Sequence, residues 1–487
     1  MTMRFRLTTI PWTLVRAGDL AAMWRDGSVD GGYMNAGSTQ ACFYGDGTLA
    51  QAALLRDGLR RTGHACPTRA IAEDVFRELE DRVPRYRWDA DADLWWIRNR
   101  TEPRFDAPLA GDWHLAFLKD EASAFPIRDG ELASALGLFQ HLGGTLGLDA
   151  LVERACASPV TERLLAFLVE HQLLDVVPAH ELRVSELPEF VFLAHAGFAV
   201  RTGEDLLVVD PLVVPALGRF HADRDIYRLL DAARAIAISH HHWDHLHLQT
   251  LVRIRRDMRF IVPKVGAPSF ANPPVAGYLR ALGFHDIVEV EDDQTVDVGA
   301  VQLRAAPFFG ESFGLASHFD AFAYDVRFSD TRLVGTVDGC HDEAGDMTPV
   351  IEDLARRGPV DLYLYGSSSQ RHDPAYVAAG LRHLSNELAT RPALVRYHPD
   401  TADVARWLDI LRPGLAAPYA QFLMAAPDHR PIDLPRSAAA DAWSRGRASL
   451  PRKHEPWAAS IDHLAARTRV PMAYFSAMQG MRMAVEG

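Results

Sequence analysis

The chain is short of cysteine and lysine and has no long apolar run. Its four cysteines, Cys42, Cys66, Cys156 and Cys340, are scattered, and no two stand at CxxC spacing. That disfavours a zinc finger or a thioredoxin-type redox pair and fits free thiols in a reducing cytosol. No stretch reaches the roughly 18 apolar residues of a membrane helix. The segment Met1 to Arg16 has no apolar core long enough for a signal peptide. A cytoplasmic protein without membrane contact is therefore expected. The net charge of −13 argues against a generic nucleic-acid binder. Lys119, Lys264 and Lys453 are the only lysines, so arginine supplies nearly all positive charge. This fits a GC-rich genome and carries no mechanism.

What is present suits a globular protein, with 48% hydrophobic and 24% charged residues. A length of 487 residues suggests two domains. Residues 1–185 mix helical patterns, such as Glu162 to Val169, with aromatic stretches such as Asp93 to Ile97. Their histidines (His64, His114, His141, His171, His180) form no ligand cluster. We read this part as an N-terminal α/β domain for dimerisation or partner docking. Gly143 to Gly147 lacks the spacing and lysine of a phosphate loop, and Trp95-Trp96 reads as core.

Residues 186–487 have a different rhythm. Short β-rich runs stand at Phe190–Leu193, Leu206–Val209, Ala235–Ile238, Phe260–Val262, Ile287–Val290, Val301–Leu303, Ala321–Tyr324, Leu333–Gly335, Leu362–Tyr365 and Leu394–Tyr397. Helical patterns fall around Val275–Leu282, Met347–Arg356, Pro374–Glu387 and Thr401–Leu411. Strands in succession, then strands alternating with helices, indicate an α+β sandwich of αββα type. Ala426 to Trp457, rich in Pro, Arg, Ser and Asp, reads as an exposed loop or lid.

The chemistry concentrates in His240-His241-His242-Trp243-Asp244-His245. The apolar strand Ala235–Ile238 runs into it. In extended backbone, residues two apart point the same way, so His240 and His242 can grip one ion. Asp244 and His245 lie where the chain can turn and present both to a second ion. Four imidazoles and a carboxylate in six residues fit a ligand set better than a histidine-rich loop.

The HxHxDH pattern resembles the signature of the metallo-β-lactamase superfamily, over roughly residues 189–400. Phe192 to Phe198 and Leu207 to Pro211 look like its opening hairpin. The resemblance implies a bridging carboxylate, which Asp338 fits, and a final histidine, which His398 fits. At the third-ligand position many family hydrolases place a histidine. Here Pro307-Phe308-Phe309-Gly310-Glu311 presents Glu311, which is favoured over the rival His318. Neutral imidazoles suit zinc hydrolases, whereas a set enriched in carboxylates suits iron or manganese.

That substitution resembles the diiron oxygenases of the metallo-β-lactamase fold, typified by the chloramphenicol-biosynthesis β-hydroxylase, which also pair an N-terminal α/β domain with a C-terminal sandwich. The resemblance implies one iron on His240, His242, Glu311 and Asp338, and another on Asp244, His245, Asp338 and His398. Glu311 and Asp338 would then be the catalytic carboxylates. Such chemistry takes O2 as co-substrate and an external electron donor; with no flavin or nicotinamide fingerprint in the sequence, a separate reductase is expected, and the N-terminal domain is expected to form a homodimer. The substrate would be an amino acid carried as a thioester on a nonribosomal peptide synthetase carrier domain, for natural-product biosynthesis. The competing expectation is a dinuclear zinc hydrolase of a lactone, ester or phosphodiester. Around the ligands, Asp210 is read as a brace for the metal loop. His195 is read as lying beside the metals or as structural, and Trp243, His241 and His247 as packing near the ligands. His341-Asp342 is read as a loop pair, with a proton relay as the rival reading, and His372 as a candidate for the pocket lining.

Overall fold

The computed structural model describes residues 3–7, 12–25, 86–89, 94–97, 105–117, 123–142, 147–178, 184–212, 225–242, 244–266, 268, 272–310, 320–342, 344–366, 399–420, 432–434, 455–473 and 480–483. The N-terminal part holds β1 (Met3–Leu7), β2 (Trp12–Arg16), β3 (Tyr86–Asp89), β4 (Leu94–Ile97), β5 (Trp113–Phe117), β6 (Ala124–Ile127) and β7 (Leu174–Pro178). They pair as small antiparallel sheets: β1 with β7, β3 with β4, and β2-β5-β6.

From residue 190 follow β8 (Phe190–Ala194), β9 (Gly197–Thr202), β10 (Asp205–Val209), β11 (Ala235–Ala237), β12 (Arg259–Pro263), β13 (Ile287–Val290) and β14 (Thr295–Val298). Then come β15 (Val301–Ala306), β16 (Ala323–Phe328), β17 (Thr331–Gly335), β18 (Leu362–Gly366), β19 (Leu415–Tyr419), β20 (Ile432–Leu434) and β21 (Gly480–Met483). One sheet runs β13-β12-β11-β10-β9-β8-β21-β20 and the other β14-β15-β16-β17-β18-β19.

Side-chain alternation explains why two sheets stack with helices outside. Along β10, Leu207 and Val209 enter the core between the sheets, while Leu206 and Val208 enter the core beneath the outer helices. Along β18, Leu362 and Leu364 point inward, and Tyr363 and Tyr365 pack outward. A strand buried on both faces reads as a continuous apolar run, which is why these segments stand out in the sequence. Helices Asp225–Ala232, Leu248–Leu251 and Val275–Ala281 cover the first sheet. Met347–Arg356, Thr401–Leu411 and Glu455–Arg467 cover the second. The architecture is the expected αββα sandwich.

The N-terminal part does not sit apart. Its apolar residues, Trp12, Trp113, Phe139 and Leu168 among them, belong to the same cluster as Leu229, Leu251 and Leu279 of the covering helices. Gln249 donates to the Trp12 carbonyl, and Arg256 to the Leu136 carbonyl at 3.4 Å.

Some expectations shift. The run placed at Ala321–Tyr324 becomes a strand only from Ala323. Before it, Asp320 is held by Asn272 and by the Gly266 amide, and the Phe322 amide bonds across to the Ser239 carbonyl instead of into its own ladder. The sequence pattern predicts no strand at β19. Its Pro418 cannot donate to a ladder, and the strand lies at a sheet edge, where that is tolerated. The helical pattern at Pro374–Glu387, the run Leu394–Tyr397 and most of the expected lid lie outside the described residues. Among the described residues, no helix is long and apolar enough to cross a membrane.

Candidate metal centre

Parallel strands β10 and β11 end side by side, and their ends build the site. Asp210 follows β10 and is fully buried. Its Oδ1 accepts from the Ser239 amide at 2.7 Å. Its Oδ2 accepts from Ser239 Oγ at 2.6 Å, from His245 Nδ1 at 2.7 Å and from the Tyr324 hydroxyl. An uncompensated carboxylate could not stay at this depth, and these donors stabilise its charge.

This network sets the imidazole tautomers. The Ser239 hydroxyl has one proton, given to Asp210, so it acts as acceptor toward His240 Nδ1, 2.9 Å away. His240 then carries its proton on Nδ1 and directs the Nε2 lone pair inward. His245 likewise donates from Nδ1 to Asp210, leaving Nε2 facing Asp338 Oδ2 at 2.9 Å. An imidazole that gives one nitrogen to a carboxylate and offers the other inward is the usual arrangement of a metal-bound histidine.

The other donors converge on the same place. His240 Nε2 and His242 Nδ1 are 2.9 Å apart, and the His240 and His245 rings lie 4.0 Å apart. The His245 and Leu246 amides bond the His242 carbonyl, forming the turn expected after His242. Two triads of donor atoms result, His240-His245-Asp338 and His195-Asp244-His245, each with its atoms within 4.8 Å of one another. His240, His242, His245 and Asp338 are buried; Asp244 is partly exposed. This set of imidazoles and carboxylates fits metal ions well.

Asp338 reaches the site through a tight turn after β17. Val337 adopts a positive φ of 50°, and the Gly339 amide bonds the Thr336 carbonyl. Gly366, at the end of β18, makes room for this turn: a Cβ there would collide with the Val337 carbonyl and approach Asp338 Oδ1 to 3.3 Å. Four non-glycine residues at strand ends around the site, His195, Asp210, Val337 and Ala420, have positive φ. Such backbone persists only where the surroundings over-determine it, and it clusters at functional sites.

Glu311, His318, His398, Trp243 and His372 lie outside the described residues. Gly310, the last described residue before Glu311, is held against the loop that follows Asp338. Its amide donates to Asp342 Oδ2 at 3.1 Å, and the Cys340 amide bonds the Phe309 carbonyl at 2.7 Å. Gly310 has φ +117°, and a Cβ there would strike the Cys340 amide. His247 bonds Thr250 at 2.9 Å, and the His341 backbone bridges to Asp346. The sequence reading did not single out Ser239, Tyr324, Tyr419 or Gly366. Nothing local marks Tyr324, whose partner Asp210 lies 114 residues away.

The electrostatics follow from burial and charge. Desolvation lowers the His195 imidazole to a pKa of about 4 against the opposing pull of Asp244. Burial, then the neighbouring His245, puts His240 well below its ordinary value. Burial would also lower His245, but the charge and hydrogen bond of Asp210, with Asp338, more than offset it and raise it well above that value. Burial, then Asp210, pushes the Tyr324 hydroxyl up. Burial, then Asp338 and Asp210, does the same to Tyr419.

No protein-family model matches the chain. A stretch of 189 residues is 31% identical to the 4-amino-L-phenylalanyl-CmlP-peptidyl-carrier-protein 3-hydroxylase of Streptomyces venezuelae, covering 38% of this chain and 35% of that protein. The chain thus matches about a third of that curated relative's length. Among solved structures, CmlA, a diiron β-hydroxylase from Streptomyces venezuelae, superposes with a TM-score of 0.57 at 18% identity, over 98% of this chain and 99% of that one. A CmlA mutant superposes with a TM-score of 0.55 at 19% identity, over 97% and 99%. The chain resembles that β-hydroxylase and shares its fold along nearly the whole length, the αββα sandwich and the N-terminal part alike.

Proposed function

We propose that the chain is an O2-dependent diiron monooxygenase that hydroxylates the β-carbon of an amino acid held as a thioester on a carrier protein, in natural-product biosynthesis. The observation that carries this reading is a buried set of imidazoles and carboxylates in a chain related to a carrier-protein-dependent 3-hydroxylase. Hard carboxylate oxygens mixed with imidazole suit iron.

His240 and His242 would hold one ion with Glu311, and Asp244 and His245 the other with His398. Asp338 would lie between the two. A bound iron pair would supply the activation of O2. The chain's own part is to fix the donors. Asp210 and Ser239 set the tautomers of His245 and His240, and burial excludes water from the ligand atoms. Electrons would come from a separate reductase. Residues 1–185 would dock the carrier domain and a second copy of the chain.

Metal analysis with an optical spectrum tests the reading. About two irons per chain, with absorption from an oxo-bridged ferric pair, and O2-dependent hydroxylation of a carrier-bound amino acid are expected. Two zincs with hydrolysis of a generic ester or phosphodiester would overturn it. Glu311→Ala should lower metal content and His318→Ala should not; the reverse would give the third-ligand position to His318.

A further inference from the structure

His195 follows the opening strand β8 and sits in the turn to β9, with its side chain 4% exposed. Its backbone has φ +54°, a region costly for most side chains and better tolerated by histidine than by bulky residues. Its carbonyl accepts the Ala420 amide at 2.8 Å, from a residue itself at φ 57°, so two strained strand ends secure one another. The effect is to aim the ring into the site. His195 Nε2 stands 3.5 Å from Asp244 Oδ2, and its ring centre 5.5 Å from that of His245.

That 3.5 Å separation is long for a hydrogen bond. It is close to the spacing of two ligands sharing one ion, since donors about 2.1 Å from a metal at a tetrahedral angle are about 3.4 Å apart. One donor atom from each of His195, Asp244 and His245 falls within 4.8 Å of the others, as a shared ion requires. We infer that His195 is a ligand of the second metal ion, alongside Asp244 and His245. The inference rests on the proposed two-ion site. It accounts for the strained turn, which a residue filling core space would not need.

The alternative is that His195 only orients Asp244 by hydrogen bonding, and a glutamine separates the two. Gln can donate to a carboxylate but is a poor transition-metal ligand. The metal-free full-length chain is titrated with cobalt(II) alone and followed by visible absorption and by bound-metal analysis. The wild type should take up two ions. His195→Ala and His195→Gln should both keep the first ion at wild-type affinity and bind the second more weakly by more than the roughly 10–100-fold that loss of an outer-shell partner costs, with altered bands. Added imidazole should restore the second site in His195→Ala. Wild-type affinity and bands in His195→Gln, or failure of imidazole to restore His195→Ala while near-ultraviolet circular dichroism stays native, would overturn the ligand assignment alone. A wild-type chain that takes up no second ion would overturn the dinuclear reading with it.

Discussion

Tyr324, on the second sheet, donates its hydroxyl to Asp210, at the end of a strand of the first. Asp210 in turn holds His245 Nδ1 at 2.7 Å, so the sandwich interior reaches the candidate metal centre through one carboxylate. Asp210→Asn removes the charge that fixes His245 and should weaken metal binding about 10–100-fold, read by metal titration. Tyr324→Phe removes one donor and should cost about 1–2 kcal/mol of stability, read by urea denaturation of the metal-free chain. Unchanged binding in Asp210→Asn would show that the brace is dispensable.

Metal uptake should be coupled to proton release. In the metal-free chain His245 titrates well above 6.5, so it holds a proton at neutral pH. A raised imidazole pKa contributes stability that is full below 6.5 and lost as pH rises through the folded value. An ion must displace that proton, so affinity should rise with pH over this window. Calorimetry in buffers of different ionisation enthalpy measures the protons released; none released near neutral pH would contradict the reading.

Gly366→Ala is expected to damage the site more than the fold. The added methyl meets the Val337 carbonyl and presses on Asp338. The expected cost is about 1–3 kcal/mol, with reduced metal content. Thermal melting of metal-free and metal-loaded protein reads both effects; equal melting shifts with full metal content would mean the turn adapts.

Asp231, on the helix Asp225–Ala232, belongs to neither group of candidate ligands and offers a control. Burial raises its carboxyl to about 6, against the opposing effect of Arg255. The folded state therefore favours the protonated acid, and ionisation above about pH 6 opposes folding. Asp231→Asn should stabilise the chain by roughly 2–3 kcal/mol at pH 7.5 and by little at pH 4. Chemical denaturation at the two pH values checks the difference.

The sandwich was legible because its strands are buried on both faces. Leu206 to Val209 and Leu362 to Tyr365 read as unbroken apolar runs. The turn carrying His240 to His245 was legible because its donors are adjacent in sequence. Relationships made by the fold alone were hidden. Tyr324 reads as one more strand aromatic, and His195 shows neither its strained backbone nor its approach to Asp244. Gly366 looks like any glycine at a strand end until the Val337 carbonyl is seen beside it. Pro418 disguised a strand that only an edge position permits.

The core that runs from Trp12 and Trp113 through Leu251 to Leu279 has a practical meaning for anyone who would cut the chain. A fragment beginning near residue 186 would leave the outer faces of the helices Leu248–Leu251 and Val275–Ala281 wet. Those helices cover β11 and β12, and the turn carrying His240 to His245 leaves from the end of β11. The excised sandwich should therefore aggregate or lose its metals, although none of the expected ligands has been removed.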